Sequence, residues 1–184
     1  SGEPTVYPHP TILETLAILG PLAVTSAALA HVTLETAEAP ADSSHKAVLR
    51  VPHGCDGQWT HALRIRMPGD RIALKPISEP GRKLATVEGP CTETYDDFAS
   101  KPSERSEEVI WSGAELLDVR YDEFVLRGRP ADLPPGTSLC FETVQECANA
   151  AERSIEIPAK GQKASDLERA ALARATIEKI SSGR

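Results

Sequence analysis

Aromatic residues are scarce in this chain: Phe, Trp and Tyr make up 4% of 184 residues, so any core must rest mainly on aliphatic side chains. Methionine occurs once. Positive charge is also short. Twenty Lys and Arg stand against 27 Asp and Glu, a formal net charge of −7, and the broad cationic surface that holds phosphate backbones is missing. Nucleic acid is therefore not an expected partner. The most apolar stretch, residues 11–30, is broken by Glu14 and Pro21 and falls short of the roughly 20 uninterrupted apolar residues of a membrane helix. Enzyme signatures are absent too: there is no G-x-S-x-G elbow, phosphate loop, H-E-x-x-H or C-x-x-C. The chain is read as a non-enzyme. Its length suits one compact domain, without internal repeats or low-complexity tracts.

Residues 1–30 read as an N-terminal extension with a secretory signal. The apolar run ends in Ala28, Leu29 and Ala30, an A-x-A pattern of the kind leader peptidases cut. No Lys or Arg precedes the run, which departs from the usual leader. Cleavage after Ala30 would leave residues 31–184 in an oxidising compartment, periplasmic or extracellular, with no stable membrane anchor.

From His31 onward, short segments with period-two alternation recur between Pro and Gly, the signature of an antiparallel β domain. HVTLET, KAVLRV, HALRIRM, RIALKP, KLATVE, EEVIWS, YDEFVLR, SLCFETV and SIEIP all read this way. A two-sheet sandwich over residues 31–160 is expected, with 92–108 as a polar surface loop. Residues 161–184 read as a helical tail: Ser165 and Glu168 form a capping box, and Leu167, Ala170, Ala173, Ile177 and Ile180 recur at helical spacing.

In an oxidising compartment Cys55, Cys91, Cys140 and Cys147 are expected to pair. If SLCFETVQEC is one unbroken strand, Cys140 and Cys147 lie roughly 23 Å apart, too far for a disulfide. Two pairings remain open, 55–147 with 91–140 or 55–140 with 91–147. Each crosslink would contribute on the order of 3–5 kcal/mol.

Histidine is the remaining chemistry-bearing residue. After cleavage His31 would be N-terminal, offering its α-amine and ring Nδ1 together, a nitrogen pair that suits Cu(II). His53 and Asp56 crowd the glycine turn of VPHGCDG and are further metal candidates, although hydrogen bonds from His53 to backbone carbonyls would explain it without a metal. His45 and His61 read as surface residues. Trp111, in an alternating segment, reads as core, and adjacent Asp122 and Glu123 point to opposite faces, so they make no catalytic dyad.

Several stretches together resemble the YcnI family of copper-associated periplasmic or extracellular domains: HVTLETAEA, KAVLRVPHGCDG, LKPISEPGRKLATVEGP, WSGAELLDVRYDEFVLRGR and LPPGTSLCFETVQEC. The resemblance covers nearly all of the chain after residue 30. It implies an immunoglobulin-like or fibronectin-like β-sandwich that binds Cu(II) through a single N-terminal histidine brace, helped by a carboxylate and a tryptophan. The brace falls on His31, and the carboxylate on Asp56 or, behind it, Glu35. Arg82 and Ser154 stand where the family usually keeps tryptophan. The resemblance favours 55–147 as the family disulfide, with 91–140 added in this chain.

The expected function is therefore a Cu(II) chaperone or buffer, with a membrane copper transporter or a periplasmic copper protein as the recipient that the resemblance implies. A metal-free β-sandwich interaction module and a copper-dependent oxidoreductase are the alternatives.

Overall fold

The computed structural model describes residues 2, 31–69, 73–96 and 100–179. The expected leader, apart from Gly2, lies outside the described residues.

Twelve strands account for nearly all the regular structure among these residues. In chain order they are β1 (Thr33–Leu34), β2 (Glu38–Pro40), β3 (His45–Val51), β4 (Thr60–Arg66), β5 (Lys75–Pro76), β6 (Lys83–Pro90), β7 (Glu104–Leu116), β8 (Asp122–Gly128), β9 (Ser138–Cys140), β10 (Glu142–Cys147), β11 (Ala151–Ser154) and β12 (Arg174–Glu178). One sheet runs β1-β3-β8-β5 and a second β11-β10-β4-β7-β6; a third, smaller one runs β2-β12-β9. Pairing is antiparallel except for β2 with β12, which is parallel. The all-β sandwich expected from the alternation is present.

Alternation decides what each strand buries. Leu49 and Val51 of β3 and Phe124 and Leu126 of β8 face Leu63 and Ile65 of β4 and Val109 and Trp111 of β7. Among the few core aromatics, Trp111 packs edge-on against Phe124 at 5.5 Å and donates its indole N–H to the Ile77 carbonyl. Over the other side of Phe124 lies the Arg82 guanidinium, 4.4 Å from the ring centroid. Arg82 is held there by Glu79 and Asp122, so a cation packs on the Phe124 ring.

Four local expectations need correction. The stretch SLCFETVQEC is two strands: β9 pairs with β12, whereas β10 pairs with β4 and β11, so the chain changes sheets at Phe141. The loop placed at 92–108 ends early, because β7 already begins at Glu104. The C-terminal helix is only a 3-10 turn over Ala164–Asp166, and the chain beyond it enters β12. Ala171, Ala173, Ala175 and Ile177 are all buried, a period of two that the alanines had disguised as a helical stripe. Lastly, His45 is no surface residue: it is 8% exposed, because it shares the inward parity of Ala47, Leu49 and Val51 on β3.

Candidate functional site

The loop between β3 and β4 shows why VPHGCDG has its sequence. Cys55 and Gln58 exchange both backbone hydrogen bonds, and between them Asp56 and Gly57 both have positive φ, 47° and 79°. That is a two-residue turn in which Asp-Gly is strongly preferred. Turn chemistry thus accounts for Asp56, whose carboxylate stands on an exposed tip. Gly54 is obligatory for a different reason, since a Cβ there would lie 1.9 Å from the Gln58 carbonyl oxygen. The turn is tied to the second sheet by the disulfide Cys55–Cys147, with Cα atoms 6.0 Å apart.

Behind the disulfide lies a buried polar network. Gln145, on the inward face of β10, donates from Nε2 to the His53 carbonyl and to the Thr60 hydroxyl, both at 2.7 Å. The inward parity of Thr143 and Gln145, polar residues at core positions, was the sequence signal for this network. His53 itself donates Nδ1–H to the Gly54 carbonyl at 2.8 Å, and Asp118, missed at the level of sequence, approaches the same nitrogen at 3.7 Å. A protonated Nδ1 leaves Nε2 as the lone-pair nitrogen.

His31 precedes β1, the edge strand of one large sheet, and β11 is an edge strand of the other. Its Nδ1 lies 3.5 Å from the hydroxyl of Ser154, the last residue of β11. The β1–β3 ladder holds the pairs Thr33↔Arg50 and Leu34↔Leu49, so His31 lies just before its first pair and His53 beyond the end of β3. Glu35, further along the same strand face, pairs with Arg50 at 3.5 Å. His31, His53, Asp56 and Glu35 do not converge on one point: among the described residues no three His, Cys, Asp or Glu side chains are grouped to hold a metal ion.

The second expected crosslink is absent, and Cys91 and Cys140 are free thiols. Cys91 follows β6 of the five-stranded sheet, whereas Cys140 ends β9 of the three-stranded one. Burial pushes the Cys140 thiol above its ordinary value, with nearby Arg174 opposing and Glu142 reinforcing the effect. The one disulfide suits an oxidising compartment. Among the described residues no helix is long and apolar enough to cross a membrane.

Fold and site together define an immunoglobulin-like β-sandwich closed at one end by a disulfide-tied loop. The same architecture is found in the crystal structure of an uncharacterized protein from Nocardia farcinica described as having an immunoglobulin-like fold, with a TM-score of 0.58 and 19% identity over 80% of this chain and 97% of that one. At that identity the likeness concerns the fold alone. Residues 31–173 match the family model described as "Domain of unknown function (DUF1775)", and the chain belongs to that family, which is the YcnI-like one. No curated protein matches the chain.

Proposed function

We propose that this domain is a secreted or periplasmic Cu(II)-binding protein that buffers or passes on the ion through His31, with no turnover chemistry of its own. One observation carries the reading: the family domain begins at His31, and its Nδ1 faces only the distant, weakly bonded Ser154 hydroxyl among the contacts described. A chain starting at this residue would present its α-amine and Nδ1 as a chelating pair, and nitrogen donors of this kind favour Cu(II) over the other divalent ions.

The side chains fit the ion only with that amine, since they build no three-residue cluster by themselves. Among the further donors, His53 keeps an Nε2 lone pair for a metal, since its Nδ1–H is given to the Gly54 carbonyl. Asp56 is set by its turn and Glu35 by Arg50. The Cys55–Cys147 disulfide supports export, and delivery to a membrane transporter or a periplasmic copper protein follows from the family resemblance.

The test is the electron paramagnetic resonance spectrum of Cu(II) added to protein beginning at His31. A single nitrogen-coupled signal at one equivalent, lost in His31→Ala, is the expected result; equal binding by both proteins would refute the reading.

A second reading, a metal-free interaction module, is favoured by the β7–β8 loop, where Leu117, Val119 and Tyr121 are 38%, 89% and 53% exposed. On that reading Cu(II) binds no tighter to the wild type than to His31→Ala, while Val119→Ser abolishes partner binding.

A further inference from the structure

Around His61 the five-stranded sheet is interrupted on both sides of β4. Against β7 the register passes from Ala62↔Ser112 to Thr60↔Leu116, which leaves Gly113, Ala114 and Glu115 outside the ladder. Strand β6 stops at Lys83↔Ser112 and does not cover them either. Against β10 the register passes from Ala62↔Glu146 to Thr60↔Cys147, so His61 is the extra residue of a second bulge. Bulges re-aim side chains and end pairing locally. Gly113, at φ +85°, permits the arch in β7 that a side-chain-bearing residue would resist.

The double bulge opens a cavity of about 490 Å³ lined by Trp59, His61, Ser112, Gly113, Ala114 and Glu115. Trp59 is the tryptophan that the core does not use, since Trp111 is fully buried. The indole meets the His61 ring edge-on at 5.7 Å. It is braced from behind: the Trp59 carbonyl accepts the Ala148 N–H, neighbouring Gln58 accepts the Asn149 N–H, and the disulfide joins the same two segments. The backbone that carries the indole is thereby fixed, which lowers the ordering cost when a ligand stacks on it.

The surroundings say what kind of ligand suits it. Glu115 and the Ser112 hydroxyl stand at the rim, and His61 Nε2 faces the Glu146 carboxylate at 3.6 Å. Glu146 is shared with Arg64 at 3.7 Å, and the Lys83 side chain passes beside Gly113. Arg64 is held more closely by Glu108, at 3.0 and 2.8 Å, so with Glu115 and Glu146 the carboxylates outnumber the two cations and an anionic ligand is disfavoured. An indole surface with no excess of positive charge around it, lined by a carboxylate, an imidazole, a hydroxyl and unladdered backbone, matches an uncharged sugar ring. Such a ring puts its C–H face on the indole and its hydroxyls on the rim.

We propose that this cavity is a saccharide-binding subsite, with Trp59 as the stacking platform and Glu115 and His61 as hydroxyl partners. It is independent of copper and of His31. The test is a titration of ¹⁵N-labelled protein with N-acetylglucosamine, glucose, galactose and their β-linked trisaccharides. At least one should move the Trp59 indole N–H and the Gly113 amide in a saturable way, with a dissociation constant on the order of 1 mM, while the Trp111 indole stays fixed. Trp59→Phe should retain weakened binding, and Trp59→Ala should lose about tenfold or more in affinity. Glu115→Gln, on an exposed rim residue that does not threaten folding, should weaken binding several-fold. The proposal is overturned if no member of the panel moves the Trp59 signal, if the shifts persist in Trp59→Ala, or if Glu115→Gln leaves affinity unchanged.

Discussion

At the scale of single residues, parity along a strand carries more information than residue type. His45 shares a face with Ala47, Leu49 and Val51, and is buried for that reason, although histidine in a polar-flanked segment reads as surface. Its Nε2 has no hydrogen-bond partner, and burial holds the imidazole below its ordinary value of 6.5. The unfolded chain therefore takes up a proton as pH falls through 6.5, whereas the native chain resists until a lower pH. Native stability is lost across that interval. Between about pH 7.5 and 5 the urea midpoint of the wild type should fall, and that of His45→Gln should fall less; parallel curves would show that His45 does not contribute. Asp56 is a related case. The family pattern makes it a ligand candidate, yet the Asp-Gly pair by itself already announces a tight turn.

Elements are legible where the alternation uses large side chains. Strands β3, β4 and β8 follow the predicted segments closely because Val, Leu, Ile and Phe leave little ambiguity about which face is buried, whereas β7 outruns EEVIWS at both ends. Ala170 to Ile177 is not legible in the same way, since alanine suits a helix and is small enough to pack in a strand. Distant partners decide the outcome: Thr176 pairs with Glu38 on one side and with Ser138 on the other. The switch of sheets at Phe141 is hidden because SLCFETVQEC alternates without a break across it. The C-terminal segment is thus part of the core, and Ile177→Ala should destabilise the domain by about 3 kcal/mol, read as a lowered urea midpoint with an unchanged slope. A change below about 0.5 kcal/mol would mean that this segment packs only superficially.

For the whole molecule, two sheets with few aromatics are held together at one end by a crosslink spanning 92 residues of sequence. Replacing Cys55 and Cys147 together by alanine should lower unfolding free energy by about 2–5 kcal/mol, with the Gln145 network loosened beside the lost bond. Equal stability of the reduced and oxidised wild type would contradict this. The family resemblance points to the 55–147 disulfide, whereas the placing of Cys140 in a different sheet from the β6 strand before Cys91 is nothing that a local pattern reveals. The candidate site is legible to the same degree. His31 stands out by its position after the leader pattern, but its contact with Ser154 spans 123 residues and the approach of Asp118 to His53 depends on the closing of the sandwich.

The proposed copper binding depends above all on the α-amine of His31. The most direct measurement is calorimetric titration of Cu(II) into two proteins that differ only at the N-terminus, one beginning at His31 and one retaining Ala30. The donor side chains are identical in both, so any difference reports the amine. Tight one-to-one binding by the first and a loss of at least about a hundredfold, some 2.7 kcal/mol, in the second is the expected result. Equal affinity of the two proteins would contradict it.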